Sequence, residues 1–236
     1  MLKAFCFNTT SINHTSFGTM KLTESELQEL ARQLQCPEGD DGIKVGEMMN
    51  FTNSNIILKT IESLNLGNGD VVLEIGPGNG DHVKDIIKAG SAVDYHGIDI
   101  SETMIQEAQR INSGLRNVAF SLSDGLNIPF EKDHFDKVLT TNTIYFWKKP
   151  VAYINEIARV LKSGGLLSVG FIPKSTMEKI PFAKFGFTTY EPKMVTKLLE
   201  DAGFIIQDII AETEFVLSNS GEKIERELVI VTGELE

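Results

Sequence analysis

Three acids, Glu74, Asp99 and Asp124, each follow a run rich in apolar residues, and glycines at 76, 78 and 80 come directly after the first of them. Carboxylates at strand ends accept hydrogen bonds from a ligand's amine or hydroxyl groups. Glycine admits positive φ and lets a ligand lie against bare backbone, and packing alone seldom demands three such positions in five residues. The run Val71-Val72-Leu73-Glu74-Ile75-Gly76-Pro77-Gly78-Asn79-Gly80-Asp81 therefore reads as a buried strand turning over a ligand. The next residues, His82 to Gly90, have helical spacing and a stopping glycine, which completes the start of a nucleotide-type βαβ unit. His82 itself reads as a surface helix residue, with general base as the sharper alternative.

The glycine spacing separates two cofactor classes. A dinucleotide loop, G-x-G-x-x-G, would place its third glycine at position 81, where this chain has Asp81, an acid that would repel a pyrophosphate. Asp99 ends a second predicted strand, which starts at Val93, beside the first, and a carboxylate there can accept both hydrogen bonds of a ribose diol. Ser101 caps the following amphipathic helix, which runs through Met104, Ile105, Ala108 and Ile111. A third strand, Val118–Leu122, leads to Asp124-Gly125, which by itself is also ordinary turn chemistry. The fourth, Phe135 to Asn142, delivers Thr141 and Asn142 to the same rim.

E-x-G-x-G-x-G resembles the first motif of the class I S-adenosylmethionine-dependent methyltransferases. The resemblance implies that Glu74 sits near the cofactor's amino-acid end and that Gly76, Pro77, Gly78, Asn79 and Gly80 pass close to its methionine and ribose portions. It assigns Asp99 the ribose hydroxyls and Asp124 the adenine amino group, with Ile100, Met104, Gly125, Thr141 and Asn142 completing the expected cofactor contacts. Glu156 to Gly165 resembles the stretch before the fifth strand of the type 11 methyltransferases, a group that includes quinone-biosynthesis enzymes. The similar segments span roughly Asp70 to Gly233, in the family's order.

The remaining pattern supplies the frame. Lys149-Pro150 opens a helix that Gly164-Gly165 closes, Leu166–Phe171 reads as the fifth strand, Tyr190–Gly203 as a helix, and Phe204–Ala211 and Glu227–Thr232 as the last strands. Seven strands with interleaved helices match the sheet of the family resembled, which implies an α/β fold, Rossmann-like and mostly parallel, with helices on both faces, an antiparallel last strand and an N-terminal helical lid. Residues 1–20 read as a flexible arm and 21–236 as one domain. Within it, 21–66 is the lid, 67–171 the cofactor-binding core, 172–190 an acceptor-side insertion and 191–236 a closing helix and strand pair. Thr23 to Glu26 has capping-box spacing, a turn is expected at Cys36 to Gly42, and residues near 40–55, with Met48 and Met49, either enclose the ligands or pack on the sheet.

The chain of 236 residues suffices for one large core, and no apolar run approaches the ~20 residues that span a bilayer. Its 33 acids against 22 bases, a net charge of −11 without a basic stripe, argue against a nucleic-acid partner and favour a small-molecule methyl acceptor. Cys6 and Cys36 form neither a metal spacing nor a disulfide framework, so no metal is expected and a reduced, cytoplasmic setting is the default. A homodimer is compatible with this composition. Tyr145, Phe146 and Trp147, with Phe182 and Phe185 of the insertion, are the candidates for walling an apolar acceptor pocket. Lys148 and Lys149 read as a solvated face.

Methyl transfer from a sulfonium asks a protein for alignment and exclusion of water, and for a base only when the acceptor is protonated. The expected activity is S-adenosyl-L-methionine-dependent methylation of O, N or C of a small, partly apolar molecule. A non-catalytic partner subunit on the same fold and a nicotinamide-dependent oxidoreductase are the alternatives.

Overall fold

The computed structural model describes residues 22–217 and 223–236. The arm expected over residues 1–20, with Cys6, lies outside them. Seven strands form one sheet: β1 (Val71–Ile75), β2 (Asp94–Asp99), β3 (Val118–Leu122), β4 (Phe135–Thr141), β5 (Leu161–Phe171), β6 (Phe204–Leu217) and β7 (Lys223–Leu235). Their order is β3-β2-β1-β4-β5-β7-β6, with β1 to β5 parallel and β7 antiparallel to both β5 and β6. The chain steps outward from β1 to β3 and then returns to place β4 on the other side of β1. That reversal leaves a crevice at the carboxyl ends, where open α/β sheets bind ligands. Register makes the crevice a site: Ile75 lies level with Ile98 and with Thr140, so the glycine loop, Asp99 and Thr141 all emerge at one edge.

Helices cover both faces. Ile61, Leu64, Val83, Ile86 and Tyr95 pack one face, where α2 (Gly39–Ser63) and α3 (Val83–Ala89) lie. Phe135, Val138, Ile154, Ile157, Phe171, Val195 and Leu199 fill the other, beneath α5 (Pro150–Val160) and α7 (Pro192–Glu200). Helix α1 (Glu24–Gln35) opens on the capping box, with Thr23 and Glu26 bonded reciprocally. Ser101 caps α4 (Glu102–Ile111) by accepting from the Met104 amide at 3.1 Å.

Three element boundaries depart from the sequence expectation. Helix α2 begins at Gly39, inside the expected turn, and runs unbroken for 25 residues to Ser63. Its internal glycines serve close packing. A Cβ at Gly42 would lie 2.6 Å from the Pro37 carbonyl carbon, and one at Gly46 3.0 Å from Met104 Sδ. Helix α5 ends at Val160, and the chain is already extended from Leu161, which pairs with Phe135 ahead of a bulge. The β6–β7 pair is longer than its apolar runs because polar side chains of its distal half bond α2.

Gly170 fixes how closely β5 approaches α2. A Cβ there would collide with the Thr60 hydroxyl and lie 3.4 Å from Ile56 Cγ1. Gly170→Ala is expected to lower the urea unfolding free energy by about 1–3 kcal/mol, as overpacking does; an unchanged midpoint would show that this contact has slack.

Candidate active site

The cavity at the carboxyl edge encloses about 460 Å³. Of the residues singled out from sequence, Glu74, Gly76, Pro77, Gly78, Asn79, Asp99, Ile100, Met104, Asp124, Gly125, Thr141, Asn142 and Trp147 line it. Its other walls come from the N-terminal helices, through Leu34, Gln35, Cys36, Pro37, Gly46, Met49, Asn50, Asn53 and Ile57. Phe146, Lys148 and Tyr153 also face it, so Lys148 belongs to the site edge and not only to a solvated face.

Other candidates stand elsewhere. Gly80 supports the loop from behind: its carbonyl accepts from Asn112 Nδ2 at 3.0 Å, and a Cβ there would crowd Asn112, Ala108 and Phe120. Tyr145 is buried below the rim. Its hydroxyl accepts from the Ile172 amide at 2.5 Å and donates toward Asn142 Oδ1 at 3.0 Å, so it supports the wall without forming it. Phe182 packs against Phe187, which in turn meets Tyr145 and Phe146, while Phe185 lies under Lys184. The insertion, Ile172 to Thr189, thus forms a packed crossover carrying the short helix α6 (Lys174–Met177).

Asp99 is 8 % exposed and props up the glycine loop. Oδ2 accepts from the Gly78 amide at 3.1 Å and Oδ1 from the Ser101 amide at 2.9 Å, which leaves each oxygen a further lone pair. Burial pushes its carboxyl up to about 6, although the bonds from Ser101 and Gly78 pull the other way. Asp124 differs in kind. It is exposed and its oxygens accept from the amides of Leu126 and Asn127 and from Asn127 Nδ2, bonds that hold its carboxyl below the usual range. The turn reading of Asp124 is therefore realised, alongside its place on the cavity wall.

Glu74 carries a feature the sequence reading missed. It is 2 % exposed, and His82 Nε2 sits 2.8 Å from its Oε1 and 2.9 Å from its Oε2. The Tyr95 hydroxyl donates to Oε2 at 2.6 Å. His82 is thus a largely enclosed partner of the first-motif acid and not a free surface helix residue. The available signal was position: a residue on the turn into α3 is carried back over the strand from which the loop departed.

The cradle suits a ligand lying on backbone. Gly76 and Gly78 have φ of +74° and +56°, and a Cβ at Gly78 would meet nothing within 4 Å. Thr141 Oγ1 is buried with no partner, an open hydroxyl on the cavity wall. Open backbone, an orphan hydroxyl and a carboxylate with free lone pairs fit a nucleoside bearing an amino-acid tail.

Fold and site together place the chain in the class I S-adenosylmethionine-dependent methyltransferases. Residues 66–218 match the model of a methyltransferase-domain family, so the chain belongs to it. It is 31 % identical over 131 residues to the uncharacterized methyltransferase YdaC of Bacillus subtilis (strain 168), covering 55 % of this chain and 71 % of that one. It is 31 % identical over 114 residues to the demethylmenaquinone methyltransferase of Staphylococcus saprophyticus, covering 46 % of this chain and 47 % of the relative. In fold it is similar to a SAM-dependent methyltransferase from Aquifex aeolicus, with a TM-score of 0.62 at 21 % identity over 89 % of this chain and 98 % of the other. No helix among the described residues is long and apolar enough to cross a membrane.

Proposed function

We propose that the protein transfers a methyl group from S-adenosyl-L-methionine to O, N or C of a small, partly apolar molecule, acting in the cytoplasm without a nucleic-acid partner. The observation that carries this reading is one cavity in which the carboxyl-edge acids and the bare glycine loop share walls with Leu34, Ile57, Phe146 and Trp147. The cofactor, when bound, supplies an already activated sulfonium methyl. Asp99 would hold the ribose diol, the backbone of Gly76 to Asn79 would take the close approach, and Thr141 Oγ1 would find its missing partner. Residues 22–66 act as a cover: Gly39 donates to Thr103 Oγ1 at 3.1 Å, and Gly46 seats on Met104, which excludes water from the donor side. His82 Nε2 is engaged by Glu74, so acceptors nucleophilic in their bound form suit the site best.

Calorimetric titration with S-adenosylmethionine and S-adenosylhomocysteine, with a nicotinamide dinucleotide as control, tests this. Binding of the first two alone supports it, binding of neither favours a non-catalytic partner subunit, and nicotinamide binding overturns it. Asp99→Ala is expected to weaken S-adenosylhomocysteine by about 1–3 kcal/mol, as loss of charged hydrogen bonds does; an unchanged affinity at an intact fold removes the diol assignment.

The acidity of Asp99 sets a pH dependence. Only the carboxylate accepts both diol bonds, so affinity should be level above about pH 7 and fall toward tenfold per unit well below about 6. The free fold responds with the opposite sign. The folded carboxyl lies above its ordinary 3.8, so the stability this group contributes is present below pH 3.8 and lost as pH rises through about 6.

A further inference from the structure

The Glu74–His82 pair stands on the cavity wall beside the glycine loop. Glu74 comes from the end of β1 and His82 from the turn into α3, and both face the cavity. Glu74 is already supplied with donors: Oε1 takes His82 Nε2, and Oε2 takes both that nitrogen and the Tyr95 hydroxyl. It is therefore poorly placed to serve the ligand as a free carboxylate. A buried carboxylate is strongly unfavourable unless paired, and the pairing favours the imidazolium form of His82. With Nε2 held by Glu74, the ring has Nδ1–H left to give.

Resting on the proposed function, we propose that His82 selects the cofactor by its carboxylate, with Glu74 and Tyr95 as positioning residues that keep the imidazole charged and oriented. The amino-acid end of the cofactor is a zwitterion. The pair offers the carboxylate of that zwitterion a donor, Nδ1–H, on a ring whose other nitrogen is held by Glu74.

The titratable groups around His82 agree on sign. Burial draws its proton affinity down, but the charge and hydrogen bond of Glu74, with Asp81 and Asp85 farther out, raise it on balance. Tyr95 stays neutral, its proton held by burial and by Glu74. Asp99 lies across the same cavity and Lys148 lines it from the fourth-strand side.

The test compares S-adenosylmethionine, decarboxylated S-adenosylmethionine, which differs from it by the carboxylate alone, and 5′-methylthioadenosine, which lacks the whole amino-acid portion. The wild-type protein is expected to prefer the first over the second by about tenfold or more, the size of one charged hydrogen bond. H82Q should erase that preference and leave methylthioadenosine binding unchanged. Equal weakening of all three ligands, or a preference retained in H82Q, would show that His82 only supports the loop. A second measurement needs no variant: in an imidazole ¹⁵N titration of the wild-type chain, S-adenosylhomocysteine should hold the His82 proton to higher pH while methylthioadenosine does not. Identical titrations with both ligands overturn the assignment. If the wild-type protein binds none of the three, the proposed function itself has failed, an outcome distinct from a variant that binds without discriminating.

Discussion

Gly78→Val is expected to weaken S-adenosylhomocysteine by at least about two orders of magnitude, some 2.7 kcal/mol, while the thermal midpoint falls only a few degrees. The conformational cost is local. Gly78 has φ +56°, where a side chain costs roughly 1–2 kcal/mol, which in a chain of this size lowers the midpoint by about 2–8 °C. No protein atom lies within 4 Å of the added Cβ, so the side chain projects into the cavity and occupies the ligand's place. Gly80→Val is the control with the opposite profile. Its φ is +65°, and its Cβ would stand 3.0 Å from Asn112 Nδ2 and 3.2 Å from Ala108 Cβ, behind the loop. That variant should lose stability first and affinity only as a consequence. Calorimetry and thermal unfolding on both proteins check the pair, and a Gly78→Val protein that still binds would place the ligand elsewhere.

Arg226→Met should lower stability by about 2–4 kcal/mol in urea unfolding, near the range for breaking a buried ion pair. Arg226 and Glu214 are each 11 % exposed and bonded at 2.6 Å across the β6–β7 hairpin. Arg226 Nη2 also donates to the Thr52 carbonyl at 2.6 Å and Nη1 to Asn53 Oδ1 at 3.4 Å, while Asn55 donates to Glu214 at 2.8 Å. Truncation leaves Glu214 largely buried without its cation and a helix carbonyl without its donor. Replacing both partners by Met should recover part of the loss, because the stranded charge goes too; a double variant no better than the single would locate the loss in the Thr52 contact instead.

Legibility in the sequence tracked how local the cause was. The β1 loop, the place of Asp99 and the Ser101 cap follow from spacing and residue type within a few positions, while the arrangement of the sheet rests on the family resemblance. Helix α2 did not, because Gly42 and Gly46 weaken helical pattern locally and are favoured only by what they touch, Pro37 and Met104. The distal hairpin was underestimated for the same reason. Glu212, Glu214 and Arg226 look like loop residues until Lys59, Asn55 and Thr52 are brought beside them. Aromatic character alone misplaced Tyr145, Phe182 and Phe185, since periodicity does not distinguish a pocket wall from the layer behind it. For His82 the decisive contact was eight residues away yet depended on the reversal at Gly76 to Gly80.

Helix α2 joins two mechanically distinct neighbourhoods. At about 1.5 Å per residue, its 25 residues form a rod roughly 37 Å long. The earlier turns, at Gly46, Met49 and Asn53, wall the cavity, while Lys59 and Ser63 are fastened to Glu212 and to Ser168 of the sheet. A continuous helix couples its two ends. A bulky occupant that lifts the early turns must pivot the helix about its fastened end or strain the hairpin, so the hairpin's stiffness becomes part of how readily the chamber admits its guest.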